Sequence, residues 1–459
     1  MQAQMTGVEV SGQNLANVNT TGYTRQTVDI QTSPDLSTVI GPEGTGANVT
    51  AIQQAVNTLL NIQIQTQQSA GGYWNAQQSA LQNAQTSLGE FLNGTASTSS
   101  STTGNSTTDT GLSGQLTSLF NAFQAVATSP ASVSARQELI NQAQTLASTF
   151  NQVDSQINAT RTTLNTSLNN DVNSANTLLS GIADLNKQIS AAEFSGGTPN
   201  DLLDEREKDL ENLSQLTNIQ TSTGTNGAVD VSIGGQSLVS GSQVLDTMQT
   251  YDAGGGQLLV QTKTGGVNLT LTGGSIQGTI DARDGELATM QKNINTLAST
   301  LITQVNVVHS GGYSLTGTTG ANFFNGSDAS TITVNQSLAD NPSLIQASGT
   351  STATGDNSVA LQLANLASVA QSGLNNQTFG NSFDETVAGL GDALQTANNQ
   401  ASNQAAVSNM LTTQRSSTSG VNIDEEMTNL MGFQRAYEAS AQLVNTVNQM
   451  MQTVIALKT

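Results

Sequence analysis

The sequence predicts a mainly α-helical, elongated molecule: a rod of long helices in a helical bundle, with a small inserted β domain and terminal helices that form a coiled coil. Apolar residues recur at alternating steps of three and four over long stretches, as in helices that pack lengthwise on one another. Between residues 218 and 278 the period changes to two, which is typical of β-strands. Both ends of the chain carry helical apolar stripes.

The longest stripe predicts one continuous helix over residues 132–192. With a rise of about 1.5 Å per residue, this helix is roughly 90 Å long. Two successive steps of four, from Leu164 to Leu168 to Val172, depart from heptad spacing and indicate a straight bundle rather than a tightly wound coil. The stripe consists of Leu139, Ala143, Leu146, Phe150, Val153, Ile157, Leu164, Leu168, Val172, Ala175, Leu179, Ile182 and Ile189.

Shorter stripes of the same kind predict the other helices of the rod. Between two of these helices, residues 94–110 are rich in Ser, Thr and Gly, and predict a polar loop. The stripes are Val49, Ile52, Val56 and Leu59; Trp74, Leu81, Leu88 and Phe91; Leu287, Met290, Ile294, Leu297, Leu301 and Val308; and Phe383, Val387, Leu390 and Leu394.

These patterns divide the chain into three predicted domains. Residues 1–30 and 416–459 form a terminal helical coiled-coil domain, residues 31–217 and 279–415 the long-helix rod, and residues 218–278 the inserted β domain. Strands of the insertion are expected at Val229, Val231 and Ile233, and at Val267, Leu269 and Leu271. Residues 311–350, with one strand candidate at Ile332 and Val334, leave two assignments open, a β extension or a loop.

The C-terminal helix carries apolar residues on two faces from residue 443 onward, so one partner helix cannot cover it. Burying seven of these side chains gives about 10–20 kcal/mol at most, whereas ordering about fifteen backbone units costs about 15–30 kcal/mol. We therefore expect this end to fold only when neighbouring subunits surround it, as in a polymer. The residues on the two faces include Leu443, Val444, Val447, Met450, Met451, Val454, Ile455 and Leu457.

Composition excludes several classes of function. The net charge of −21 comes from 33 acidic and 12 basic residues, and Lys and Arg form no cluster that would bind the phosphates of a nucleic acid. The absence of cysteine excludes disulfides and thiolate ligands. No run of 18 apolar residues and no cleavable signal is seen. We expect no nucleic-acid partner, no membrane span, no metal, no cofactor and no enzymatic activity.

Three polar features have structural interpretations that compete with catalytic ones. The single histidine, His309, precedes a glycine pair, and we interpret it as a helix-end residue that interacts with the helix dipole. The acidic residues from Asp201 to Asp209 are interpreted as the first turns of a helix that Thr198 caps and Pro199 begins. Asp356 is interpreted as a helix N-cap.

Two terminal segments resemble known flagellar sequences. SGQNLANVNTTGYTRQ, residues 11–26, resembles the N-terminal signature of flagellar rod, hook and hook-associated proteins. SGVNIDEEMTNLMGFQRAYEASAQLVNTVNQMM, residues 419–451, is similar to the C-terminal signature of the hook-associated protein 1 family. That family is also distinguished by NDLLDEREKDLENLSQL, VDVSIGGQSLV and GDNSVALQLANL in the middle of this chain. The matching residues are Asn14, Ala16, Asn17, Thr20, Gly22, Tyr23 and Arg25, and Val421, Asn422, Asp424, Glu425, Glu426, Phe433, Gln434 and Tyr437.

The resemblance implies a structural subunit that joins hook to filament as a ring and is exported through the flagellar type III channel to the cell exterior. Implied partners are copies of itself, the flagellar hook protein, the second junction protein (hook-associated protein 3), and a cytoplasmic export chaperone on the C-terminal helix. The predicted assembly interface consists of Asn14, Asn17, Gly22, Tyr23, Arg25, Phe433, Gln434, Tyr437, Val444, Val447, Met451, Val454 and Ile455.

The chain begins closer to the N-terminal signature than is usual in this superfamily, so we expect some of the N-terminal helix to be missing. Two alternatives of the same structural kind stay open, a fibrous bacterial surface adhesin and another flagellar axial protein. A carboxylate-only hydrolase in the insertion is the enzymatic alternative, but the insertion has few acidic residues and no convincing pair.

Overall fold

A computed structural model describes residues 1–38, 41–93, 111–224 and 227–457 of the protein. Its longest element is a single helix, α4 (Val133–Phe194), of 62 residues. The Ser132 side chain caps this helix by accepting a hydrogen bond from the Ala135 N–H at 3.2 Å. Every residue of the predicted stripe from Leu139 to Ile189 is buried. The prediction of one long helix is therefore confirmed.

Further helices surround α4 and complete the rod. The stripes predicted around Trp74, Met290 and Phe383 lie on three of them, and their buried residues join one core with α4. The predicted loop at 94–110 lies outside the described residues. The helices are α2 (Thr58–Asn93), α3 (Leu112–Thr128), α5 (Asn200–Leu216), α6 (Gly274–Asp281), α7 (Ala288–Ser310), α8 (Gln336–Asp340), α9 (Ser358–Asn365) and α10 (Phe379–Ser419).

A β-hairpin replaces the helix that was predicted to begin at Val49. Strand β1 (Gln26–Thr32) pairs antiparallel with β4 (Ala47–Gln54), and β2 (Leu36–Thr38) pairs with β3 (Gly41–Glu43) further out. The helical prediction for Val49 and Ile52 is wrong because so short a stripe does not distinguish the two periods, and its β-branched residues favour a strand. Helix α2 begins only after Asn57, whose side chain accepts from the Leu60 N–H at 3.2 Å.

The inserted β domain is present between residues 219 and 262. Strands β5 (Ile219–Thr223), β6 (Val229–Ile233), β7 (Gln236–Ser240) and β8 (Gln243–Val244) form one antiparallel sheet, and β9 (Met248–Asp252) pairs with β10 (Leu258–Thr262). Their buried residues pack on the C-terminal half of α4.

The second predicted strand of the insertion, at Val267, Leu269 and Leu271, is not formed. This segment makes only an isolated bridge from Asn268 to Gln261. It crosses the β6–β7 turn so closely that a Cβ on Gly234, at φ +57°, would lie 3.1 Å from the Leu269 Cα. Burial of Leu269 and Leu271 over that turn accounts for the alternating pattern without a strand.

Residues 311–350 combine irregular backbone with a minimal sheet. Strand β11 (Phe324–Asn325) pairs with β12 (Thr333–Val334), next to the buried Ile332. The strand candidate at Ile332 and Val334 therefore includes part of β12.

A π-helical turn joins two helices of the rod into one continuous element. α6 is followed by the turn Ala282–Leu287 and then by α7. Gly278 lies against the Tyr73 carbonyl of α2 so closely that a Cβ would overlap it. Arg283 in the π turn is fully buried, and donates to Asp284 Oδ2 at 2.6 Å, Asn165 Oδ1 at 2.6 Å and the Leu258 carbonyl at 2.8 Å. The turn is thereby held against α4 and β10.

His309 lies in the last turn of α7, as predicted, but its buried ring joins two other segments of the chain and does not bind the free carbonyls of the helix end. Its Nδ1 lies 2.8 Å from the Ala321 carbonyl, and its Nε2 accepts from the Gln346 N–H at 3.0 Å. Burial lowers the pKa of His309 to about 4, since a charged imidazole is costly in an apolar interior. Nearby Arg136 is also buried and donates to the Ile345 carbonyl at 2.5 Å.

Two predicted helix caps are displaced by one residue. Helix α5 begins at Asn200, and Pro199 rather than Thr198 occupies the N-cap position. Helix α9 begins at Ser358 after Asn357, although Asp356 still accepts from the Ser358 N–H at 3.1 Å. Helix boundaries move by a residue easily, because neighbouring polar side chains compete for the same free N–H groups.

Candidate assembly site at the chain termini

The two terminal helices pair, as predicted. Helix α1 (Gln2–Ala16) packs against α11 (Ile423–Ala456). Gly7 faces Phe433, and a Cβ on Gly7 would lie 2.7 Å from the ring, so glycine permits this close approach. Arg25, which follows α1, reaches Glu425 and Glu426 at the start of α11. The two helices are therefore antiparallel.

In the N-terminal signature, the Asn14 side chain joins the end of α1 to Gln26 at the start of β1 and so closes the loop between them. This fully buried side chain donates from Nδ2 to the Gln26 carbonyl at 2.8 Å. Its Oδ1 accepts from the Gln26 N–H at 3.0 Å and from the Tyr23 hydroxyl at 2.9 Å. Gly22 adopts φ +88° in the loop, a conformation that favours glycine. Asn17 accepts from the Thr20 hydroxyl at 3.1 Å.

Tyr23 lies in an electronegative environment that keeps its hydroxyl protonated. Burial, together with the nearby carboxylates of Asp201, Asp204 and Glu426, raises the pKa of Tyr23 to about 12. The shift moves deprotonation of this hydroxyl, which donates to Asn14 Oδ1, still further above neutral pH.

Arg25 joins this loop to the C-terminal helix. Its Nε donates to Glu426 Oε1 at 2.9 Å, and its Nη2 donates to Glu425 Oε1 at 2.7 Å. Glu426 is 3% exposed, so the first of these pairs is shielded from water. Among the predicted interface residues, Asn14, Tyr23 and Arg25 are thus brought together within one chain.

The acidic face of α5 contacts the same region, which the sequence did not reveal. Asp204 accepts from the Thr24 N–H at 2.9 Å and from Gln54 Nε2 at 2.8 Å. Asp201 accepts from Gln26 Nε2 at 3.3 Å. Interpretation of these carboxylates as partners of the helix dipole was therefore incomplete. Burial raises the pKa of Asp204.

The same helix face continues along the rod. Glu207 accepts from Gln65 Nε2 of α2 at 2.9 Å, and burial raises the pKa of its carboxyl. Glu211 forms an ion pair with Arg415 of α10. Arg206 does not balance these charges by direct pairing, since its Nη1 donates to Asn186 Oδ1 and to the Gly227 carbonyl.

The predicted interface residues of α11 differ sharply along the helix. Phe433 is partly covered by α1, whereas Gln434 and Tyr437 are exposed. From residue 442 to residue 457 every residue is exposed. We call residues 442–457 the C-terminal overhang. Its apolar side chains are 47–83% exposed: Leu443, Val444, Val447, Met450, Met451, Val454, Ile455 and Leu457.

The part of the chain that the structure describes contains no group of three or more His, Cys, Asp or Glu side chains placed to hold a metal. No helix among the described residues is both long and apolar enough to cross a bilayer.

Comparison with known proteins supports a flagellar relationship. The family model described as flagellar hook-associated protein FlgK helical domain matches residues 101–324. The model described as flagellar basal body rod FlgEFG protein C-terminal matches residues 412–457.

Curated relatives match along the whole chain. Flagellar hook-associated protein 1 of Bacillus subtilis (strain 168) is 27% identical over 503 residues, covering 99% of this chain and 96% of the relative. The protein of the same name from Salmonella typhimurium is 23% identical, covering 100% of this chain and 98% of the relative.

A solved structure shares the fold. The flagellar hook junction protein FlgK from Burkholderia pseudomallei matches with a TM-score of 0.63 and 19% identity, covering 78% of this chain and 100% of that one. Both family models and the full-length relatives agree, and along its whole length the chain is similar to flagellar hook-associated protein 1, a structural component of the flagellum.

Proposed function

We propose that this chain assembles with copies of itself into a ring through its terminal helices, and that the ring contacts the flagellar hook protein on one side and the second junction protein, hook-associated protein 3, on the other. The observation that carries the proposal is the C-terminal overhang, whose apolar side chains are exposed and form one broad face, roughly 160° wide at about 100° per residue. An apolar face of this width is typical of a helix that packs against other helices.

The geometry of the terminal pair favours sister chains as the occupants. The overhang extends beyond the part of α11 that α1 covers, and its fifteen helical residues up to Ala456 span about 22 Å. Met1 and Met5 on α1, and Met427 and Met431 on α11, are also about half exposed. Apolar surface is therefore exposed on the helix pair as well as on the overhang, as expected when neighbouring copies pack around both.

The overhang also explains two further parts of the proposal. A cytoplasmic chaperone that covers it before assembly would prevent premature association, because exposed apolar surface promotes aggregation. Export through the type III channel would then deliver the chain to the cell exterior, where sister chains replace the chaperone. We propose a structural role without enzymatic activity, which the burial and neutral state of His309 favour.

The test is a pair of charge substitutions in the overhang, Met451→Asp together with Ile455→Asp. Two carboxylates in a buried helical interface are strongly unfavourable, so we expect loss of binding to isolated hooks in co-sedimentation and loss of swimming in cells that depend on this chain. Circular dichroism should show a folded rod.

A matched control adds the same charges at an exposed site on the rod. Ser155→Asp with Ala159→Asp has the same spacing on α4, and both positions are exposed. This variant should bind hooks normally. Normal hook binding and swimming by the overhang variant would refute the proposed interface.

A further inference from the structure

Three consecutive residues, Thr24, Arg25 and Gln26, contact both the rod and the terminal helix pair. On the rod side, the Thr24 N–H donates to Asp204 of α5 at 2.9 Å, and the Arg25 N–H donates to the Ser419 carbonyl at the end of α10 at 2.9 Å. These two bonds attach the segment to two different rod helices.

The same three residues are bound to both terminal helices. The N–H and the carbonyl of Gln26 are both hydrogen-bonded to the Asn14 side chain of α1. The Arg25 side chain forms ion pairs with Glu425 and Glu426 of α11. Helices α1, α5, α10 and α11 therefore meet on one short segment, and most of the contacts involve its backbone or a charged group.

The covalent connections near this segment are short. Between α10 and α11 only residues 420–422 are non-helical, and between β4 and α2 only residues 55–57. The Ala55 N–H donates to the Arg25 carbonyl at 2.9 Å, so the second connection is also tied to the segment. Without such ties, a three-residue link lets two helical bodies swing relative to each other.

We propose that Thr24–Gln26 is a brace that holds the terminal helix pair at one fixed angle to the rod, with Asp204 as its anchor on the rod and Glu426 as its anchor on α11. Both carboxylates act by fixing the position of this segment. Asp204 accepts two hydrogen bonds, from the Thr24 N–H and from Gln54 Nε2, and bonds to an ionised acceptor are stronger than neutral ones. The inference concerns the single chain and does not depend on the proposed ring.

The angle can be measured directly, because the chain has no cysteine and two can be introduced for spin labels. Thr163→Cys lies on an exposed position of α4, and Glu438→Cys lies on an exposed position of α11. Pulsed electron-electron double resonance on the full chain gives the distance distribution between them. We expect a single narrow peak for the otherwise unchanged protein.

Asp204→Ala in this background should release the brace. Loss of two charge-assisted hydrogen bonds should raise the fraction of molecules outside the main distance peak by about tenfold or more. Asp204→Asn, which keeps one acceptor oxygen but turns an amide N–H₂ toward a donor, should give a smaller increase. Circular dichroism should be unchanged in both variants, since α5 remains packed on the rod.

Glu205→Ala is the matched control, because it removes a carboxylate from the adjacent, exposed position of α5. It should leave the distance distribution unchanged. An unchanged distribution in folded Asp204→Ala, or equal broadening in Glu205→Ala, would overturn the brace. If Asp204→Ala does not fold, an unchanged distribution in folded Asp204→Asn has the same consequence.

Discussion

The long helix α4 and the C-terminal overhang carry similar apolar patterns but have opposite environments. In α4 the stripe from Leu139 to Ile189 is buried, with no member more than 6% exposed. In the overhang the corresponding side chains, from Leu443 to Leu457, are 47–83% exposed. Helical periodicity therefore indicates that a face is to be buried, but not whether the partner belongs to the same chain.

Among the described residues, the two regions differ in how many segments pack beside them. Around α4, helices α2, α3, α5 and α7 and the inserted β domain supply partners. Beside α11, α1 supplies one partner, and the overhang extends past it. The rod should thus be stable in a single chain, whereas the overhang should depend on neighbours.

Hydrogen exchange on the monomer gives the largest expected contrast. Amides around Phe150 exchange only when the rod unfolds, whereas those of residues 442–456 exchange by local fraying. A rod stability of at least about 5 kcal/mol implies exchange roughly a thousandfold or more slower near Phe150 than in the overhang. Mass spectrometry of the peptides measures both regions at once. Similar protection in the two regions would contradict the comparison.

Truncation of one apolar side chain in each region sharpens the contrast. Phe150 is completely buried, so Phe150→Ala should lower the free energy of unfolding by about 3–5 kcal/mol through lost burial and a cavity. Ile455 is 64% exposed, and Ile455→Ala should change it by less than about 0.5 kcal/mol. Urea unfolding of the monomer followed by circular dichroism measures both. A comparable loss in Ile455→Ala would show that the overhang is packed in the monomer.

The rod should also become less stable in acid. His309 has an ordinary pKa of 6.5 that burial lowers to about 4, so between these values the unfolded chain binds a proton that the folded chain does not. Stability contributed by neutral His309 is therefore lost as pH falls from 6.5 to 4, by about 3 kcal/mol. Comparison with His309→Gln isolates this contribution from that of the carboxylates.

The expected result is that the difference in unfolding free energy between the native chain and His309→Gln decreases as pH falls through this range. Urea midpoints at pH 7, 5.5 and 4 measure it. A difference independent of pH would mean that His309 titrates normally and is not held neutral by the fold.

Loss of the helix cap on α4 should lower stability less than the changes at Phe150 and His309. Ser132→Ala removes the acceptor for the Ala135 N–H at the start of α4 and should destabilise the rod by about 1 kcal/mol. Asn422→Ala removes the acceptor for the Asp424 N–H at the start of α11. We expect that change to reduce hydrogen-exchange protection in the first turn of α11 without moving the urea midpoint of the rod. A shift of that midpoint equal to the Ser132→Ala shift would mean that α11 and the rod unfold together.

Sequence periodicity predicted the long helices well because their stripes extend over many turns. It was wrong at Val49 and Ile52, where four residues could not separate helix from strand. It also assigned a strand to Leu269 and Leu271, which are buried in the core of the insertion although their segment forms only one bridge to β10. A short apolar pattern thus predicts which residues are buried. Only a pattern that extends over many residues also predicts whether they form a helix or a strand.

The terminal site was predicted in part. The signatures located Asn14, Tyr23 and Arg25, but they did not show that these residues contact Gln26, Glu425 and Glu426 of the same chain. Asp204 was read as part of a helix start, because local spacing gives a carboxylate a plausible neighbour on its own helix. Its actual partners, Thr24 and Gln54, are distant in sequence, and no local pattern indicates such a pair.

The π turn at Ala282–Leu287 lets one continuous helix present two differently oriented faces. The wider turn absorbs one extra residue, and regular α-helical winding of the same residues would rotate the preceding segment by about 100°. Gly278 would then turn away from Tyr73, and a bulkier side chain would meet the α2 backbone. The π turn thus keeps the packing surfaces of α6 and α7 in phase, and a one-residue insertion or deletion in either flanking helix should be far less tolerated than one in the connecting loops.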